Sequence, residues 1–368
     1  MPVPRLRKTP LKRRRRPRRF GRLLTLLAFL VLAGGAGWVW WRSGHPAKIE
    51  KPAPARETKI SRPAPAVPQI PPASIPPQTT ADFPRPVRDV LEAQVALARR
   101  VISPGSIDGA IGSQTRAAIA AFQRSQNQPD SGVLDTNTRA LLPLDAPLLT
   151  TYTVTSNDLA NLQPLGKTWL AKSQQTALAY ETILEQVAET AHAHPRLIQK
   201  LNPDVNWTNV AAGTVLQMPA VNYPEPADQA AFVVIHLSAR FLEAFDAQTN
   251  LLAHFPCSIA AKVEKRPVGE LHVTVIAPNP NYTVDPALFP ESAELQAIGH
   301  KLILPPGPNN PVGVAWIGLD RPGYGMHGTP APEQVGRTES HGCFRLANWD
   351  AAYLLKLVWI GMPVDVLP

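Results

Sequence analysis

The chain is poor in cysteine, with two thiols, Cys257 and Cys343, in 368 residues. At most one bridge can form, so no disulfide framework holds this fold together. Acid is missing from residues 1–22, which hold eleven Lys or Arg. Set against the total of +9, that tail leaves the remaining residues at a net −2, so the folded part is close to neutral. The run Lys12-Arg13-Arg14-Arg15-Arg16-Pro17-Arg18-Arg19 invites a nucleic-acid reading. The segment that follows accounts for the charge in another way, and no nucleic-acid partner is expected.

Charge is absent from residues 23–41, nineteen in a row. As a helix they span ~28 Å, one hydrocarbon thickness. Trp38, Trp40 and Trp41 close the run, where amphipathic rings favour the membrane interface. Positive charge before the run predicts a single-pass membrane anchor. The basic tail 1–22 would lie in the cytoplasm, and everything after residue 42 outside it. Ala33-Gly34-Gly35-Ala36 offers a peptidase site, and a cleaved signal is the competing reading. The length of the run and its terminal tryptophans favour the anchor.

Proline is in surplus, forty-one in all, and unevenly spread: twelve fall within residues 43–86. The stretch 42–86 cannot bury a core and is expected to be an extended, semi-stiff spacer.

Three modules follow. In residues 87–144, Val90, Leu91, Val95, Leu97 and Val101 have helical spacing, residues 114–126 read as a second amphipathic helix with Ile119 and Phe122 inward, and residues 136–142 as a third. Between the first two lies Pro104-Gly105-Ser106-Ile107-Asp108-Gly109-Ala110-Ile111-Gly112. With Thr115-Arg116-Ala117-Ala118 and Ala121-Phe122-Gln123, this loop resembles the three-helix type of peptidoglycan-binding domain. Residues 150–220 read strand, helix over 182–193, a second helix opened by Pro195, Leu201-Asn202-Pro203, and a closing strand 214–219. That order resembles an α+β LysM module, with one departure: about 25 residues separate the first strand from the helix. Glycan binding and a spacer role both stay open for it.

Residues 228–368 form the third module. Short apolar or alternating runs, split at Asp246-Ala247-Gln248-Thr249-Asn250, read as strands and a hairpin. Further strands are expected at 271–276, 314–318 and 364–367, with one helix over 349–357. The expectation is a mostly-β domain.

The chemistry concentrates near the C-terminus, in Gly323-Tyr324-Gly325-Met326-His327-Gly328-Thr329 and Ser340-His341-Gly342-Cys343-Phe344-Arg345-Leu346. A thiol attacks as its thiolate, and a neighbouring imidazole is the usual means of making one near neutral pH. A Cys and His cluster can also suggest zinc, but no metal or cofactor is expected here. Cys257 reads as a small buried hydrophobe, and His236, His254, His272 and His300 lack comparable settings.

Over about 140 residues this module resembles the catalytic domain of bacterial L,D-transpeptidases of the YkuD type. The gap of twelve residues between His327 and Ser340 is on the short side, and Gly336 falls within it. The resemblance implies Cys343 as nucleophile and His327 as general base, oriented by the Gly328 carbonyl. It implies oxyanion donors in the backbone at Gly342 and Cys343, where glycine permits close approach. His341 would help position the thiol or the acceptor, Ser340 would polarise a histidine, Arg345 would hold a substrate carboxylate, and Tyr324 would wall the cleft. The implied reaction is formation of cross-links between third-position diamino acids of peptidoglycan stems. An L,D-carboxypeptidase and a non-catalytic peptidoglycan-binding protein are the rival readings.

Overall fold

A computed structural model describes residues 83–337 and 342–368. The basic tail, the apolar segment and nearly all of the spacer lie outside the described residues, as do Ser340 and His341. Among the described residues no helix is long and apolar enough to cross a membrane.

The first module contains β1 (Arg85–Pro86), α1 (Val90–Ala98), α2 (Ser113–Ser125), α3 (Thr136–Leu141) and β2 (Pro143–Leu144), with β1 and β2 paired antiparallel. Helix α1 starts where Asp89 accepts the Glu92 amide at 2.9 Å, and α3 where Asp135 accepts that of Thr138 at 2.7 Å. Ile119 and Phe122 are buried as their spacing predicts. Gln94 ties the glycine-rich loop down: its amide nitrogen donates to Asp108 and Thr115, and its oxygen accepts the Gly109 N–H at 2.8 Å. Asp108 therefore shapes the loop.

The second module contains β3 (Leu149–Thr153), α4 (Ser156–Asn161), α5 (Trp169–Ser173), α6 (Ile183–Thr190), α7 (Pro195–Leu201) and β4 (Val215–Pro219). β3 and β4 pair antiparallel around α6 and α7, giving the expected strand–helix–helix–strand order. The long gap after β3 holds two short helices, which the sequence reading left blank. The first, α4, packs on its own module through Leu159 and Leu162, while the stretch around α5 is drawn away from it. Leu165, Trp169 and Leu178 pack with Tyr282, Val284, Leu295 and Leu302 of the third module in a small separate core. The Trp169 and Phe289 rings lie 6.0 Å apart.

The third module contains β5 (Phe232–His236), β6 (Phe241–Phe245), β7 (Leu251–Pro256), β8 (Gly269–Pro278), β9 (Tyr282–Val284), α8 (Ala293–Ile298), β10 (Leu302–Leu304), β11 (Ala315–Leu319), β12 (Gly325–His327), β13 (Phe344–Arg345), α9 (Asn348–Leu357) and β14 (Pro363–Leu367). Eight strands form one sheet in the order β13-β12-β11-β8-β14-β5-β6-β7, while β9 and β10 form a separate pair. The β6–β7 hairpin closes where Asp246 accepts the Gln248 and Asn250 amides at 2.9 and 2.8 Å, as its Asx-rich turn predicts. One core holds Val233 and Ile235 of β5, Leu242 of β6, Phe255 of β7, Val364 and Val366 of β14, and Leu354 and Leu357 of α9. The expectation of a mostly-β domain stands, with α8 as a second helix beyond the one expected.

Candidate active site

The edge of the sheet positions the site. β12 pairs with β13 in parallel, Met326 opposite Phe344 and His327 opposite Arg345. Side chains alternate across a strand. Met326 and Phe344 point into the core, exposed by 0% and 1%. The residues on either side, Cys343, Arg345 and His327, are thereby turned to the other face. Burying Phe344 contributes roughly 1.5–3 kcal/mol, and that same burial fixes which way the cysteine faces. On the far side of β12, Trp316 of β11 pairs with His327, and the two rings stack 5.7 Å apart at 25°. The imidazole is thus held between neighbours.

His327 is buried, and its Nδ1 lies 2.6 Å from the Gly328 carbonyl oxygen. A carbonyl can only accept, so Nδ1 carries the proton and Nε2 keeps its lone pair. Burial pushes the imidazole down to about 4, the Gly328 bond partly offsetting it. The ring is therefore neutral at physiological pH. Cys343 donates to the Gly323 carbonyl at 3.4 Å. Burial raises its pKa, while the Gly325 N–H and the Arg345 guanidinium pull the other way. The resting pair is thus a neutral thiol with a neutral imidazole. The desolvated site penalises either charge alone.

The other expected residues divide in two. Tyr324 stands beside Gly342, where an added Cβ would meet its ring at an ordinary 3.7 Å. Arg321 stacks 4.7 Å over the Tyr324 ring. Arg345 lines a recess of about 210 Å³ with Ser258, Thr329, Ala331, Gln334 and Val335. Larger recesses, each about 520 Å³, lie elsewhere, at the seams between modules. Cys257 is fully buried, and burial pushes its thiol up to about 12, as expected of an inert core residue.

Sequence reasoning missed three neighbours. Tyr282 of β9 lies within electrostatic reach of Cys343 and Arg345, its phenol raised chiefly by burial. Trp316 stacks on the imidazole. Asn348, at the start of α9, sits behind the base: a Cβ on Gly328 would lie 2.3 Å from its Oδ1, and one on Gly313 2.0 Å. Those two positions admit only glycine, and Gly313 also has a left-handed φ of +62°. The motifs Asn310-Pro311-Val312-Gly313 and His327-Gly328 carry that signal in the sequence.

Residues 230–366 match the family model of the L,D-transpeptidase catalytic domain, and residues 87–142 match one described as "Putative peptidoglycan binding domain". "Putative L,D-transpeptidase YkuD" of Bacillus licheniformis is 24% identical over 185 residues, 50% of this chain and 93% of its own. "Putative L,D-transpeptidase YqjB" of Bacillus subtilis is 36% identical over 103 residues, 27% of this chain and 49% of its own. "Probable L,D-transpeptidase YbiS" of Escherichia coli is 29% identical over 174 residues, 46% of this chain and 55% of its own. The chain spans about half the length of the latter two.

Proposed function

The chain carries an L,D-transpeptidase catalytic domain behind a peptidoglycan-binding domain, and from that premise we propose that it cross-links peptidoglycan stems through an acyl-enzyme on Cys343. One observation carries the assignment of roles: a neutral imidazole, locked by its Nδ1 on the Gly328 carbonyl, shares a sheet face with the thiol.

The chemistry follows from that arrangement. His327 Nε2 accepts the thiol proton as sulfur attacks the carbonyl carbon after the third stem residue. The tetrahedral oxyanion is met by main-chain N–H groups at Gly342 and Cys343. Collapse breaks the C–N bond, and His327 returns the proton to the departing D-alanine amine. A side-chain amine of a second stem then attacks the thioester, gives its proton to His327, and the thiol leaves reprotonated. Arg345, which lines the recess of about 210 Å³, would hold a stem carboxylate.

The first module raises the local concentration of the enzyme on the wall. The apolar segment 23–41 would anchor it, with the catalytic domain outside the cytoplasm; protease protection in spheroplasts tests that orientation. For residues 150–220 the strand–helix–helix–strand order supports a LysM-like reading.

The deciding experiment is mass spectrometry of muropeptides after incubating purified full-length protein with tetrapeptide-stem muropeptides, beside Cys343→Ala. A dimer joined between third residues, absent with the variant, is expected. Tripeptide monomers alone would make water the acceptor, and a dimer that persists in Cys343→Ala would remove the nucleophile assignment.

A further inference from the structure

The second module touches the catalytic domain at the back of the base. Asn348, 1% exposed, spends none of its side chain on capping its own helix. Its Nδ2 donates to both carboxylate oxygens of Glu189, each at 3.1 Å, and to the Pro308 carbonyl at 3.1 Å. Its Oδ1 accepts the Val314 N–H at 3.3 Å and presses against the Gly313 and Gly328 backbones. The amide is therefore sorted by its surroundings. Turned over, it would set its oxygen against the Glu189 and Pro308 oxygens and its NH2 against the Val314 N–H.

Glu189 is itself poorly suited to where it sits. It lies in the last turn of α6, where the helix dipole disfavours an anion. Its other contacts are the Tyr180 hydroxyl, donating at 3.0 Å, and the repelling carboxylate of Glu185 one turn earlier. Burial pushes it up to about 7, the Asn348 and Tyr180 bonds partly offsetting this. For folding alone, an apolar residue would serve the site better.

We propose that Glu189, contributed by the second module, is a positioning residue for the catalytic base: it holds the Asn348 amide in the one orientation that braces the Gly328 backbone, whose carbonyl orients His327. This rests on reading His327 as the base for Cys343. The second module thereby completes the active site, whether or not it also binds glycan. An adjoining seam holds the same backbone segment in place. The Leu178 N–H donates to the Pro306 carbonyl at 2.9 Å, and the Asn309 side chain donates to the Ala179 carbonyl at 2.9 Å.

The test compares full-length wild type, Glu189→Gln, Glu189→Ala and Cys343→Ala. Two quantities are read: acylation by a carbapenem, and the pH profile of Cys343 alkylation by iodoacetamide. The glutamine keeps the shape but offers an NH2 to the turned-over amide. A misaligned base is expected to lower the acylation rate of Glu189→Ala by about ten- to a hundred-fold, with Glu189→Gln between it and wild type. KM for the carbapenem should stay within about two-fold of wild type, as uniform binding is untouched. The alkylation profile should move to higher pH in both variants, which loss of stability alone would not do. Wild-type rates and profile in Glu189→Gln would overturn the proposal even if Glu189→Ala fails to fold. Lowered thermal stability with unchanged acylation would overturn it too. If wild type and Cys343→Ala are equally unreactive, the reading of the site fails instead, and the two failures are separable.

Discussion

Two contacts that the first and second modules make with the catalytic domain differ in kind. The first module's Arg124 pairs with Glu243 of β6, while its Gln114 amide donates to the Val335 carbonyl, before Cys343. The Arg124 side chain stays 41% exposed while Glu243 is 5% exposed. The second reaches the backbone behind the base, through an amide with no freedom to turn. A half-exposed ion pair can re-form in several geometries, and water replaces what it loses. A buried amide between acceptors has one geometry. Contact of the first kind links modules, and contact of the second kind can set the alignment of a catalytic group.

Substitutions at the seams sharpen that contrast. The largest stability effect is expected at the buried link of the first module, where Ser103 and Tyr223 donate to Asp350 at 3.0 and 2.7 Å. Burial pushes Asp350 up to about 7, and the two hydroxyl bonds partly offset it. Between the unfolded value near 4 and that raised value, the native state holds a proton that the unfolded chain releases. Its contribution is complete at pH 4, shrinks as pH rises towards 7, and changes no further above it. Wild type should therefore lose stability relative to Asp350→Asn by up to ~4 kcal/mol between pH 4 and pH 8. Urea unfolding at the two pH values measures this, and a constant difference would contradict it.

Asn309→Ala comes next. It removes the bonds to Ala179 and Glu185 that hold the loop before Gly313. A cost of about 1–3 kcal/mol is expected from the buried groups left unpaired, with a fall in carbapenem acylation, because the same loop braces the base. The smallest effect belongs to Arg124→Ala, at ~0.2–1 kcal/mol in thermal unfolding and with acylation unchanged. Should Arg124→Ala slow acylation as much as Asn309→Ala does, the distinction between the two seams falls.

Much of this was legible in the chain. Cys343 and His327 share a face because alternation along β12 and β13 turns Met326 and Phe344 to the core. The helices of the first module follow from apolar spacing and from Asp89 and Asp135 as caps. What escaped is what depends on a neighbour. Glu189 sits among Glu185, Gln186 and Thr190 on an amphipathic helix and reads as a solvated charge; only the docked domain makes it a ligand for Asn348. Tyr282 lies on a three-residue strand, too short to show a period. The blank stretch after β3 has its apolar residues spaced to fit a partner more than a hundred residues away, so no local pattern announced it.

That small shared core has a consequence for the order in which the protein matures. Leu165, Trp169 and Leu178 are made early, but Val284, Leu302 and Leu304, which cover them, arrive only after β5 to β8 of the sheet have been synthesised. Closing so long a loop is slow, because its entropy is spent before any contact repays it. Until residue 304 emerges, an apolar strip on the second module is left uncovered, a surface that chaperones would recognise. A chain interrupted before that point would expose the strip and lack the cysteine.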